Sequence, residues 1–114
     1  MLCTRPDLAY AVSQISQFNS LPNSTHEKAV QRILRYLKET KDLGITFDGK
    51  QGLFLEAYSD ADHGAREDRK SISGYIFKLA TAAVAWASKK QATVALSSTE
   101  MEYIALLSAL KQLI

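Results

Sequence analysis

Apolar residues in the first part of the chain recur at helical spacing: Leu8, Ala11, Val12, Ile15 and Phe18 fall on one face. Thr4 and Asp7 flank Pro6 at the start of that pattern, where a fixed φ and a missing N–H suit a first helical turn. Residues 19–23, with Pro22, interrupt it. Ser24 followed three residues on by Glu27 predicts a capping box for a second helix. Its stripe is Val30, Ile33, Leu34 and Leu37, and Gly44 is its expected stop. Two complementary stripes on a short connection predict an antiparallel helical hairpin.

The spacing then changes to that of strands. Across residues 53–60, Leu53, Leu55 and Ala57 share one face, and Phe54, Tyr58 and Asp60 the other. After a charged turn over 62–70, Tyr75, Phe77 and Leu79 share a face of a second strand over 73–79. A third strand over 82–88 sets Val84 and Trp86 against alanines. The short connections predict an antiparallel meander. Ser98 or Thr99 is the expected cap of a last helix, whose Tyr103, Leu106, Leu107, Leu110, Leu113 and Ile114 form a broad stripe. That stripe needs a surface, and one face of the meander is the one available, with Trp86 in the core between them. The expected fold is α+β: a hairpin over 1–45, a linker over 46–52, and a β-β-β-α unit over 53–114.

Composition narrows this picture modestly. The chain has 114 residues, 46% of them hydrophobic, enough for one small domain or two pieces. With 14 basic against 12 acidic residues, bulk charge does not announce a nucleic-acid partner. Cys3 is the single cysteine, so no internal disulfide forms, and it reads as a small apolar residue. No signal-peptide core or membrane-length apolar run is present, and the expected location is intracellular and not secreted.

Two acidic clusters carry the candidate chemistry. Asp60 and Asp62 close the first strand, and Glu100 and Glu102 open the last helix. Hard carboxylate oxygens suit Mg²⁺, and such sites hydrolyse phosphodiesters. The plainer reading is a turn and a helix N-terminus that favour acidic residues. Helical periodicity does not separate Glu100 from Glu102, which border the apolar stripe on opposite sides. Lys28, Arg32 and Arg35 lie together on the second helix, and Lys89 and Lys90 end the third strand. They are candidates for phosphate contacts or simply solvated positions. His63 is a candidate proton shuttle or turn residue, and His26 carries no assigned role.

Ordered motifs run along nearly the whole chain. Thr4-Arg5-Pro6-Asp7-Leu8-Ala9-Tyr10-Ala11-Val12, Arg32-Ile33-Leu34-Arg35-Tyr36-Leu37-Lys38 and Lys41-Asp42-Leu43-Gly44 lead. Tyr58-Ser59-Asp60-Ala61-Asp62, Ser71-Ile72-Ser73-Gly74-Tyr75, Trp86-Ala87-Ser88-Lys89-Lys90-Gln91 and residues 94–103 follow. This series resembles the Pol polyprotein of copia-type LTR retrotransposons, from the end of reverse transcriptase into the RNase H domain.

The resemblance implies a truncated RNase H-like unit, Mg²⁺ (or Mn²⁺) as cofactor, and an RNA–DNA hybrid as partner, in the cytoplasm or a virus-like particle. It implies that Asp60 and Glu102 are catalytic and hold metal, with Asp62 farther out, and that Arg32, Arg35, Lys89 and Lys90 contact nucleic acid. Glu102 is chosen because Tyr103 and an apolar run follow it. The family's SDADW is SDADH here, and its later acidic segments do not occur before Ile114. The free chain is therefore expected to be catalytically incomplete. The alternative is a non-catalytic binding relic, or a product with no function of its own. The remainder of a Pol polyprotein, or another copy through an unpaired sheet edge, is the expected protein partner.

Overall fold

A computed structural model describes residues 4–50, 52–62 and 69–113. Cys3, His63 and Ile114, each with a sequence expectation, lie outside them. The chain divides into two compact units, Met1–Ile45 and Thr46–Ile114.

In the first unit a 3-10 turn, Pro6–Leu8, leads into α1, Ala9–Ser16, and α2 spans Ser24–Glu39. Leu8 and Ala9 are the buried residues of the first stretch. Phe18 lies beyond the end of α1 and stacks on His26, ring centroids 4.1 Å apart. At the other end Arg5 donates to the Thr40 carbonyl and hydroxyl at 3.0 and 2.8 Å. Contacts at both ends make the two helices an antiparallel pair.

The cap of α2 differs from the expected one by one residue. Asn23 is the N-cap: its side chain accepts from the His26 N–H, while His26 Nδ1 accepts from the Asn23 N–H. His26 thereby takes the reciprocal position that the Ser24–Glu27 spacing suggested for glutamate. The helix also ends at Glu39, before Gly44, with Thr40 as C-cap. Ile33 and Leu37 are half-buried, whereas Val30 and Leu34 are exposed, so the α2 stripe is narrower than its apolar residues.

Arg5, Asp7 and Tyr36 form a clamp across this unit. Arg5 donates to both Asp7 oxygens, at 3.0 and 2.8 Å, and the Tyr36 hydroxyl donates to Asp7 at 2.9 Å. The Arg5 hydrogen bond holds the Asp7 carboxyl below the ordinary aspartate value, against a desolvation effect, and Tyr36 adds to the lowering. A depressed carboxylate stabilises the folded state above its unfolded value, about 3.9, and that contribution fades as pH falls through the folded value. Acid melting followed by circular dichroism should therefore lose a step below about pH 4 in Asp7→Asn that the parent chain retains.

The second unit begins with a three-stranded antiparallel sheet in the order β1-β2-β3: β1 Leu55–Asp62, β2 Ile72–Leu79 and β3 Ala82–Lys90. Asp60 lies opposite Gly74 and Ala61 opposite Ser73. Phe77 lies between Ala57 and Ala85, followed by a register shift in the β2–β3 pairing. Strand alternation puts Ala57, Ser59 and Ala61 on one face and Glu56, Tyr58, Asp60 and Asp62 on the other.

Helix α3, Ser98–Leu110, packs over β1 and β2 on the Ala61 side. The residues it buries are Met101, Ala105 and Ala109, one per turn, with Ala105 at 0% exposure. The expected stripe does not face the sheet: Tyr103, Leu106, Leu107, Leu110 and Leu113 are all exposed, Tyr103 by 68%. After Glu102 the helix is apolar nearly all round, so polarity does not select a face. Small side chains do, because they let the helix axis come close to the pleated surface. Trp86 is also displaced from its expected place. It lies opposite Ile76, whereas Tyr75 and Phe77 share the α3 face, so Trp86 is on the side of the sheet away from α3. The alanines of β3 take the helix side instead.

Candidate metal and nucleic-acid site

The start of α3 separates the two carboxylates that periodicity left equivalent. Ser97, one residue before the expected caps, accepts from the Glu100 N–H at 3.1 Å. Glu100 reaches back and accepts from the Leu96 N–H at 2.6 Å. Its carboxylate thus closes the helix entry, where negative charge also meets the positive end of the helix dipole. Glu102 has no such duty. It lines an open depression with Ser59, Ser98, Thr99, Tyr103 and Leu106, and Glu100 lines a second one with Ser97, Thr99, Tyr103, Ile104 and Leu107.

Asp60 sits next to Ser59 in β1 and is exposed, on the opposite face of the strand from the depression. Glu102 and Asp60 thus stand on packed neighbouring elements, α3 and β1, and flank the strand that forms one side of the sheet. Asp62 shares Asp60's face. No cluster of three or more His, Cys, Asp or Glu side chains suited to a metal occurs among the described residues. Oxygen donors of this kind fit a hard divalent cation that keeps part of its water shell, and fit a soft metal poorly.

The basic candidates fall in both units. Arg32 and Arg35 are exposed along α2, on the side away from Ile33 and Leu37. In the second unit Lys89 and Lys90 are the last residues of β3. Lys89 is exposed opposite Ser73, and Lys90 is opposite Ile72, so the two side chains leave opposite faces of the sheet. Among the described residues no helix is long and apolar enough to cross a membrane.

Polar residues under the helix start escaped the sequence reading. Ser71, Ser73 and Gln91 are buried, and Gln91 donates to Ser73 Oγ at 2.8 Å and to the Met101 carbonyl at 3.0 Å. Gln91 follows two lysines and looks like surface in the sequence. The available signals were its place immediately after a strand and its position as the last residue of the motif over residues 86–91.

Comparison with known proteins follows the same lines. The chain is 53% identical to a Plasmopara viticola protein named Secreted RxLR effector protein 161, over 98% of this chain and 80% of that protein. It is 45% identical to the retrovirus-related Pol polyprotein from transposon TNT 1-94 of Nicotiana tabacum, over its whole length but only 9% of the polyprotein. It is 48% identical to the corresponding polyprotein from transposon RE1 of Arabidopsis thaliana, over 88% of this chain and 7% of that one. No family model and no solved structure matches. Several transposon polyproteins thus share its sequence over most of its length, in the motif order described above. The chain belongs to the copia-type retrotransposon Pol family, as a segment spanning a small part of those polyproteins.

Proposed function

We propose that the second unit is part of a ribonuclease H-like module acting on RNA–DNA hybrids, with Asp60 and Glu102 as its metal-binding carboxylates. The observation that carries this reading is the division of labour at the start of α3. Glu100 is bound to the backbone, while Glu102 opens onto a depression, and Asp60 enters this reading through the motif resemblance, from the other face of β1. The succession of three antiparallel strands and a covering helix supports it.

A Mg²⁺ or Mn²⁺ ion bound by these carboxylates would supply positive charge for phosphodiester hydrolysis. The chain's own part is to bind and orient. Asp60 and Glu102 offer oxygen ligands from two elements locked together by the Ala61–Met101–Ala105 contact. Ser59, Ser98 and Thr99 add hydroxyls that can hydrogen-bond sugar or phosphate. Lys89 and Lys90 are this unit's candidates for phosphate contacts that weaken steeply with salt, and Arg32 and Arg35 are separate candidates within the first unit. Two carboxylates bind a cation loosely, so the activity proposed for the isolated chain is slow.

A second reading is a reused segment that binds nucleic acid or a protein without cleaving. It draws support from the Plasmopara viticola relative, which this chain covers by 80% and whose name describes an effector and not a polyprotein. A labelled RNA–DNA hybrid incubated with the full chain and Mg²⁺ separates the two. Slow cleavage should appear and fall by more than about 100-fold in Asp60→Asn and in Glu102→Gln, beyond the usual cost of losing an outer hydrogen-bond partner. Salt-sensitive binding with no cleavage in any variant would establish the second reading instead.

A further inference from the structure

We propose that Gln91 is a positioning residue for the Glu102 carboxylate, a role that rests on the metal-binding reading above. Gln91 is the residue after β3, and its side chain is 5% exposed. Its backbone N–H donates to the Ser71 carbonyl at 2.8 Å, which continues the β2–β3 pairing one residue past the end of the strand. The side chain then turns under α3, where Nε2 donates to Ser73 Oγ and to the Met101 carbonyl at 2.8 and 3.0 Å. The orientation of the amide follows from chemistry: a carbonyl oxygen only accepts, so nitrogen must face Met101.

The bonded carbonyl belongs to the peptide that joins Met101 to Glu102. The atoms of a peptide unit lie near one plane, and that plane includes the Glu102 Cα. Anchoring the Met101 oxygen to the sheet therefore fixes where the Glu102 side chain leaves the helix. Met101 is held at its other end as well. Its sulfur meets the Ser71 hydroxyl at 3.6 Å, and its side chain packs with Ala61 and Ala105. Ser71, Ser73 and Gln91 thus tie the first turn of α3 to the ends of β2 and β3.

The cost of the arrangement shows on Gln91 itself. Its Oε1 is buried and finds no donor among the described residues. Leaving a buried acceptor unsatisfied is unfavourable. A residue selected for packing alone would do better as methionine or leucine, whereas one needed to donate to Met101 must carry the amide.

The test uses the full chain and Mn²⁺ alone, with affinity read from paramagnetic broadening of the Glu102 and Tyr103 amide signals. Gln91→Met keeps the volume and removes the donor, and it should weaken Mn²⁺ binding at least fivefold. Ser73→Ala removes the other Gln91 contact and leaves the Met101 bond, so it should stay within twofold of the parent. A purely structural network would lower affinity in both or in neither. Glu102→Gln should abolish the broadening, and if it does not, the metal-binding reading itself is wrong. Parent-like affinity in Gln91→Met, with Glu102→Gln impaired, overturns the positioning role alone. Gln91→Glu serves as a second variant, because it places an oxygen against the Met101 carbonyl. Failure of both Gln91 variants to fold would also overturn the proposal, since Gln91 would then hold the fold and not one side chain.

Discussion

Phe77→Ala is expected to destabilise the second unit by about 3–5 kcal/mol, the usual range for truncating a buried aromatic residue. Phe77 is 3% exposed, the one bulky aromatic that the described core buries to this degree. Its cross-strand neighbours are Ala57 and Ala85, so no large side chain on an adjacent strand directly opposite it can move into the space. Its ring also contacts Tyr75, with centroids 5.4 Å apart at 49°. Whole small domains have stabilities of roughly 5–15 kcal/mol, so this loss takes a large share of the margin. Urea denaturation followed by Trp86 fluorescence would measure it. A midpoint shift worth under about 1 kcal/mol would mean that the Phe77 site collapses around the smaller side chain, contrary to its alanine surroundings.

Ala105→Leu should cost about 1–3 kcal/mol, whereas Leu107→Ser in the same helix should change stability by no more than about 0.5 kcal/mol. Hydrophobicity ranks these two substitutions the other way. The reason is placement: Ala105 is fully covered, against Ala61 and Met101, and Leu107 is 52% exposed. Added methylenes at 105 must push α3 off the sheet or force a neighbouring side chain out of its rotamer. Thermal melts of the two variants decide the matter. A larger loss in Leu107→Ser would show that the leucine face is the one packed in solution.

The comparison of α3 with the strands explains what was legible in the sequence. In β1 and β2 every second residue alternates in character, and the period is unambiguous, so the faces of Ala57 and Asp60, and of Tyr75 and Phe77, could be assigned before any coordinates. Helix α3 lacks a polar side beyond Glu102, and its packing was decided by size, which a hydrophobic pattern does not encode. Trp86 followed the same error, since its face was assigned to suit a leucine stripe that points elsewhere. The α2 cap was misplaced by one residue because His26 acts through Nδ1 where the expected partner was a carboxylate.

Within the candidate site, Asp60 and Glu102 were named through motif resemblance, and the structure adds that Glu100 is engaged with the backbone. Gln91 was not readable, because a buried amide donor looks the same in a sequence as a solvated one. Arg5 and Asp7 show the reverse. They are prominent in a motif, yet their hydrogen bonds tie the start of α1 to the end of α2.

The acidic side of β1 has a further consequence in concentrated solution. Glu56, Asp60 and Asp62 project from one face of a strand at the side of its sheet. Parallel in-register stacking of identical copies along this strand would set each carboxylate beside its own duplicate, about 4.8 Å away. Asp60 and Asp62, with Glu56 paired to Lys78 beside them, would therefore act as gatekeepers against fibrillar growth, a protection that high salt would weaken.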